Sequence, residues 1–476
     1  VQAWTAAHEQ EIVAEYLRMV ALPDVHGDLP ALRKDAAFLT AMLGRHGFAA
    51  EEWDGPGAPV VYGEHTVPGA KRTVLFYIHY DGQPVEPKEW AQADPFVPVM
   101  RTGALGDAGV KTVEDAAAVT SFPAEWRVYG RATADDRGPI EALCAAMDAI
   151  GQAPTSNIRV VLDGEEEGSG PSLADALAMH KAALHADLMV LLDGPQHASG
   201  RQTIYYGARG GAGLEVTVYT AKTAMHSGNY GNWMPDANVR LAQLIASMVE
   251  PSGRVAIAGF YSDVPPFSPA ARKMLNAVPD SSAAMRKQFG LGTTDGAATS
   301  LQEGLNLPSF SVHTMHGGEA GGVIAGQATA QIAMRLVVEN DPNVMVDRVV
   351  AHIKAQGYFV VDHDPDVATL AAHEKVAKVT YRRTTGKGSG AWRTDPATSE
   401  ARFVRDAFGR VWGDRVVEIR TLGGSVPAVP FIEAEGMPVI GVALVNYDDN
   451  QHTNNENLRL GNLWDGIRTL AGVLTY

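Results

Sequence analysis

A single cysteine, Cys144, is all the thiol chemistry this 476-residue chain carries. An internal disulfide and a thiolate metal cluster are therefore both excluded. Cys144 stands in the apolar run EALCAAMDAI, where a free thiol serves to fill core space. Long apolar stretches are missing as well: no window of about 18 residues is uninterrupted by polar groups, so no membrane-spanning helix is expected and a soluble protein is. Positive charge is scarce. Lys and Arg number 39 against 55 Asp and Glu, and a net charge of −16 is poorly suited to nucleic acid. There is no internal repeat, low-complexity tract or heptad run. Because the chain starts at Val1 and not at Met, the choice between a cytoplasmic and a periplasmic or secreted location stays open.

Apolar residues make up 46% of the chain, with 49 Gly and 27 Pro, as in ordinary globular α/β proteins. The length calls for two domains, or one with a large insertion. Helical periodicity covers 9–21, 30–47, 138–152, 172–185 and 462–476. Between these lie short apolar runs at 72–79, 126–130, 157–164, 186–194 and 437–446, which read as buried strands. The pattern predicts an α/β domain whose mixed, largely parallel sheet is sandwiched by helices. In the middle the character changes. Segments 211–222 and 326–341 alternate like half-exposed strands, and 236–250 and 343–356 are helical, so an inserted α+β domain is expected over 208–391. The first domain is then discontinuous, 1–207 and 392–476.

Ligands of open α/β sheets gather beyond the carboxyl ends of the strands. Here that edge is expected to receive His79 and Asp81, then Asp135 and Asp136, then Glu165, Glu166 and Glu167, then Asp193, and last His452. The stretch VLDGEEEGSG (161–170) drives a strand into three consecutive glutamates. Crowded carboxylates raise one another's pKa unless a cation neutralises them. Two imidazoles with several carboxylates and no thiolate suit Zn²⁺, Mn²⁺ or Co²⁺. Two such ions, about 3.5–4 Å apart and bridged by a carboxylate, would absorb the charge.

Seven motifs then align with one family. HYDGQPV (79–85), YGRATADDRGP (129–139), DGEEEGSGPSL (163–173), LLDGP (191–195), MHSGNYG (225–231), GGSVP (423–427) and QHTNNEN (451–457) span nearly the whole chain. In order and spacing the sequence resembles the di-metal exopeptidases that include carnosinase-type dipeptidases, aminoacylase and carboxypeptidase G. The DDRGP form and the length resemble the dipeptidase-like branch.

That resemblance implies a metallopeptidase with two divalent ions per subunit, most readily zinc. His79 and Asp193 would hold one ion, Glu167 and His452 the other, and Asp135 both. Glu166 would be the general base for a hydroxide held between them, and Asp81 would orient His79. The peptide bond after the shared aspartate is often cis in this family, and Asp136 is not expected to be a ligand. The inserted domain resembles the family's lid, through which a homodimer forms, with His226 reaching across to the oxyanion. Arg335 matches a guanidinium that binds the substrate's C-terminal carboxylate, and Gly424 and Ser425 match a loop beside it. The substrate class is a dipeptide or short peptide; an N-acyl or N-carbamoyl amino acid is the alternative, and an inert binding protein a third. Three features depart from the family. Ala325 follows Ile324 where a proline is usual. Gly168 replaces a larger residue after the paired glutamates, and segment 100–126 is longer than usual and is expected to shape the substrate pocket. His313 and His316 are expected to face solvent or line the lid cleft, not to bind metal.

Overall fold

The computed structural model describes residues 1–168, 170–296, 298–318, 321–384 and 390–476. Ser169 of the glutamate motif and Glu319, at the end of the HTMHGGE stretch, lie outside the described residues. The chain divides into two compact units. One comprises 1–207, 394–419 and 427–476; the other comprises 208–393 and 420–426.

The first unit is built on an eight-stranded mixed sheet. Its order is Ala49–Trp53, Val60–His65, Asn157–Asp163, Thr73–His79, Leu188–Leu191, Val439–Ala443, Gln202–Tyr205, Val416–Ile419. The four strands from Asn157–Asp163 to Val439–Ala443 run parallel to one another, and their outer neighbours Val60–His65 and Gln202–Tyr205 pair antiparallel. The strand Thr73–His79 is buried at nearly every position, as a strand covered on both faces must be. Helix Leu29–Arg45 packs on the two strands at one edge, Ser172–Met179 on Val60–His65, and Ser399–Trp412 on Val416–Ile419. Gly138–Ile150, which carries the buried Cys144, packs against Leu460–Leu474 and against Gln2–Val20. No helix among the described residues is long and apolar enough to cross a membrane.

Two expectations need correction. The run 126–130 does form a strand, Arg127–Tyr129, but not in the large sheet. It is the middle of a three-stranded sheet between Val99–Arg101 and Asn457–Arg459. Asp135 is delivered by the turn that follows the strand, Thr133–Arg137. Residues 420–426, expected in the first domain from chain order, pack with the second unit instead. Ala208 bridges Leu422, Arg209 N donates to Leu422 and Gly424 oxygens, and Thr421 donates to Asn306 at 2.8 Å. Segment 100–126 is held by Glu9, Gln10, Tyr129 and Arg459 through hydrogen bonds and makes none to the candidate metal ligands.

The second unit is a five-stranded sheet ordered Ser309–His316, Gln327–Leu336, Gly210–Tyr219, Val376–Thr380, Phe359–Val361. Alternate residues of Gln327–Leu336 are buried, the half-exposed pattern its sequence predicts. Helices Ala237–Met248 and Pro342–Ala355 supply Leu241, Leu244, Val346, Val349 and Ile353 to a core shared with Val216, Ala330 and Ile332.

One polar knot in the first unit ties three helices. His46, capping Leu29–Arg45, lies 2.7 Å from Glu15 of Gln2–Val20 and 2.9 Å from Asp148 of Gly138–Ile150. The hydrogen bond from His46, reinforced by Arg45, brings Glu15 down to about 2. Burial alone would lower His46, but its bonds to Asp148 and Glu15 raise it to about 9. A raised histidine stabilises fully below its ordinary 6.5 and loses that contribution as pH climbs through about 9. A depressed glutamate stabilises above its ordinary 4.5 and fails only as pH falls toward about 2. His46→Gln is therefore expected to lower Tm by several degrees between about pH 5 and 6.5, with the gap closing near pH 10. Scanning calorimetry of both proteins across that range measures it; a pH-independent gap would disprove the coupling.

Candidate metal centre

His79 ends the central strand, in register with Asp163 of its neighbour. Its Nδ1 lies 3.0 Å from the backbone oxygen of Asp81, which directs Nε2 inward, 2.9 Å from Oδ1 of Asp135. Asp193 follows the next strand, Leu188–Leu191, and its backbone oxygen accepts a 2.7 Å bond from the Tyr205 hydroxyl. His79, Asp135 and Asp193 form a buried group whose candidate donor atoms all lie within 4.8 Å of one another. Asp135, Glu167 and His452 form a second such group. In it His452 Nε2 stands 3.0 Å from Oδ2 of Asp135 and 3.2 Å from Oε1 of Glu167. Asp135 thus belongs to both groups and meets an imidazole at each of its two oxygens. Asp136, its neighbour across a cis peptide bond, instead accepts the backbone N–H of His79 at 3.4 Å.

The three glutamates divide their work. Glu165 accepts from Ser172 N at 3.0 Å and is hemmed in by glycines; a Cβ at Gly57 or Gly170 would come within 2.2 Å of its carboxylate. The backbone N–H groups of Glu166 and Glu167 both donate to the carboxylate of Asp81, each at 3.1 Å. Asp81 therefore holds the His79 end of one strand to the glutamate turn of another. At Gly168 the imidazole of His26 fills the space, 3.1 Å from where a Cβ would stand.

The electrostatics fit a cation site. Burial pushes Glu166 up to about 9; His79 opposes the rise and Asp193, Glu167 and Asp135 add to it. Burial raises Asp193 to about 7, with Asp135 contributing. Hydrogen bonds that His452 donates to Asp135 and Glu167 lift it to about 10. Asp135 resists burial and stays below the usual carboxylate range because His452 and His79 both bond to it. So much acid in one desolvated pocket must be neutralised by protons or cations, and nitrogen and oxygen donors without thiolate are those of zinc, manganese or cobalt sites.

The second unit gathers the other candidates. Arg335, opposite Gly211 and Ser309 in the sheet, donates to the Ser425 hydroxyl at 2.9 Å. Gly424 accepts from Arg209 N at 3.1 Å. His226 is exposed, and its Nδ1 accepts from Gly228 N at 3.0 Å, which leaves the proton of the neutral ring on Nε2. His313 and His316 are exposed on Ser309–His316 and belong to neither metal-ligand group.

Sequence reasoning passed over several polar partners. Gln83 donates to Glu167 at 2.7 Å, Gln451 donates to Asp135 at 3.1 Å, and Glu456 takes the backbone of the Asp135 turn. Arg209 lies near Arg335, and burial together with that second guanidinium lowers it to about 10. Only the acid of QHTNNEN and the first arginine of GRATADDR left a trace in the sequence that could have been followed.

Comparison with known proteins bears on the whole chain. The model of peptidase family M20/M25/M40 matches residues 75–476. A Cys-Gly metallodipeptidase of Candida albicans is 24% identical over 88% of this chain and 81% of its own length. The Beta-Ala-His dipeptidase of Homo sapiens is 24% identical over 87% and 77%. The crystal structure of human carnosine dipeptidase 1 superposes with a TM-score of 0.77 at 22% identity, covering 100% of this chain and 97% of that one.

Proposed function

The chain belongs to peptidase family M20/M25/M40 and is a metallopeptidase, and from that premise we propose that it hydrolyses dipeptides or short peptides with a free C-terminal carboxylate. The observation that carries this reading is Asp135, whose two oxygens face His79 and His452 in two separate donor groups. On this reading His79 and Asp193 hold one divalent ion, Glu167 and His452 another, and Asp135 serves both. Zinc is the first choice, with manganese or cobalt also suited to these donors. When bound, such ions acidify a water toward neutral pH and polarise a carbonyl.

The chain's own residues do the rest. Glu166, buried among the ligands, accepts a proton from the attacking water and delivers it to the leaving amine. Asp81 keeps the His79 ring and the glutamate turn in place. His226, with its proton on Nε2, is read as the donor to the developing oxyanion. Arg335, steadied by Ser425, is read as the partner of the substrate carboxylate, and Gly424 as part of the same loop. The second unit is read as lid and dimerisation domain, and Ser309–His316 at its sheet edge is an available pairing surface. The mass from light scattering tests the homodimer.

A substrate panel tests the function. The two substrate classes share the C-terminal carboxylate and differ in the free amine at the other end; on the dipeptidase reading dipeptides are expected to be cleaved at least about tenfold faster than N-acyl or N-carbamoyl amino acids. Chelation should abolish turnover, and Zn²⁺, Mn²⁺ or Co²⁺ should restore it. Faster cleavage of the acyl compounds would assign the chain to their hydrolysis, and turnover indifferent to chelation would end the metal reading.

A further inference from the structure

Glu456 is completely buried, yet among the described residues its carboxylate makes no hydrogen bond to a candidate ligand's side chain. It is spent on the backbone instead. Oε1 accepts the N–H groups of Ala134 at 2.9 Å and Asp135 at 3.0 Å, while Oε2 accepts Ala132 N at 3.0 Å and the guanidinium of Arg131 at 2.8 Å. Four donors on one desolvated carboxylate make a strong and directional anchor. The turn it grips is also held from the other side, where the Tyr16 hydroxyl donates to Thr133 O at 2.6 Å and the Thr133 hydroxyl to Gly130 O at 2.8 Å. Ala132 sits at φ 54°, a left-handed conformation that a residue with a side chain seldom adopts. The backbone oxygen of Glu456 accepts Gly130 N at 3.1 Å, so the grip begins before the turn does.

The residue after Glu456 closes the loop that carries His452. Asn457 N donates to the Asp449 oxygen at 2.7 Å, and Asn450, His452 and Asn455 all have φ near 60°. Arg131 donates onward to Thr453 O at 3.1 Å and to Pro84 O at 3.4 Å. The loops after His79, around Asp135 and around His452 are thus fastened to one buried ion pair.

We propose that Glu456, through Arg131 and the turn 131–135, is a positioning residue that sets the distance between Asp135 and His452 and so preorganises the second donor group for its ion. The proposal rests on the metal reading given above. Glutamine at this position would aim its amide hydrogens at Ala132 N–H and Arg131, leaving donors facing donors in a buried site.

The test is calorimetric titration of the chelator-stripped, full-length protein with Zn²⁺. The wild type is expected to take up two ions. Glu456→Gln is expected to bind one of the two ions about 10–100-fold less tightly, as substitutions behind metal ligands do, with a smaller change for the other ion. Glu456→Asp keeps the charge but is one methylene short, and should show the same selective loss if the glutamine variant fails to fold. A folded variant with wild-type affinities at both sites would overturn the proposal. So would loss of circular dichroism in both variants, which would make Glu456 a determinant of folding alone. Should the wild type itself take up no ions, the metal reading falls and this inference falls with it.

Discussion

Glu166→Gln is expected to cut kcat by about three to four orders of magnitude while the protein keeps both ions and a KM within a few-fold of wild type. Glutamine matches glutamate in shape, and the Glu166 backbone N–H that Asp81 accepts is untouched. The turn should therefore stay where it is. What disappears is a group that can take a proton from water and give it up again. A loss of that size corresponds to about 4–5.5 kcal/mol of transition-state stabilisation. Metal analysis beside steady-state kinetics separates this from ligand loss, and a variant within tenfold of wild-type kcat, metals retained, would remove Glu166 from the chemistry.

Asp135→Asn should act differently, because it weakens both ions together. An amide offers one acceptor oxygen where the carboxylate offers two, and its NH₂ would face either His79 or His452. Activity is expected to fall by about three orders of magnitude or more, with fewer than two ions retained after dialysis. Asp193→Asn and Glu167→Gln are the controls, each touching one donor group only. If Asp135→Asn keeps two ions while either control loses one, Asp135 is not the shared ligand. The backbone grip of Glu456 on residue 135 does not involve the substituted side chain, so the loop should survive.

How much of the site was legible from the sequence can be judged residue by residue. His79, Asp193 and His452 could be found because each ends or follows an apolar run, and that edge is where α/β sheets bind ligands. Helical periodicity located Gly138–Ile150 and Leu460–Leu474 to within a few residues. The triple glutamate announced a concentration of charge. Spacing alone did not say which glutamate went where, an assignment that came from the family resemblance; in the fold Glu165 is claimed by Ser172 and by room that Gly57 and Gly170 leave, contacts made at a distance along the chain. The strand Arg127–Tyr129 misled because a three-residue strand looks the same in sequence whichever sheet receives it. Gly424 and Ser425 follow a strand of the first unit in sequence yet hydrogen-bond with Arg209 and Arg335 in the second.

Local order therefore determined the inventory: which side chains exist, which are spaced for helix or strand, and which stand at strand ends with no thiol among them. Periodicity and composition are properties of neighbours along the chain, so they can be read without coordinates. The tertiary structure alone decided the pairings. It joined Asp135 to His452 across 317 positions of chain, counted from their numbers, and set Glu456 beneath both loops. Such contacts are chosen by the packing of the whole core, and no window of sequence contains the information.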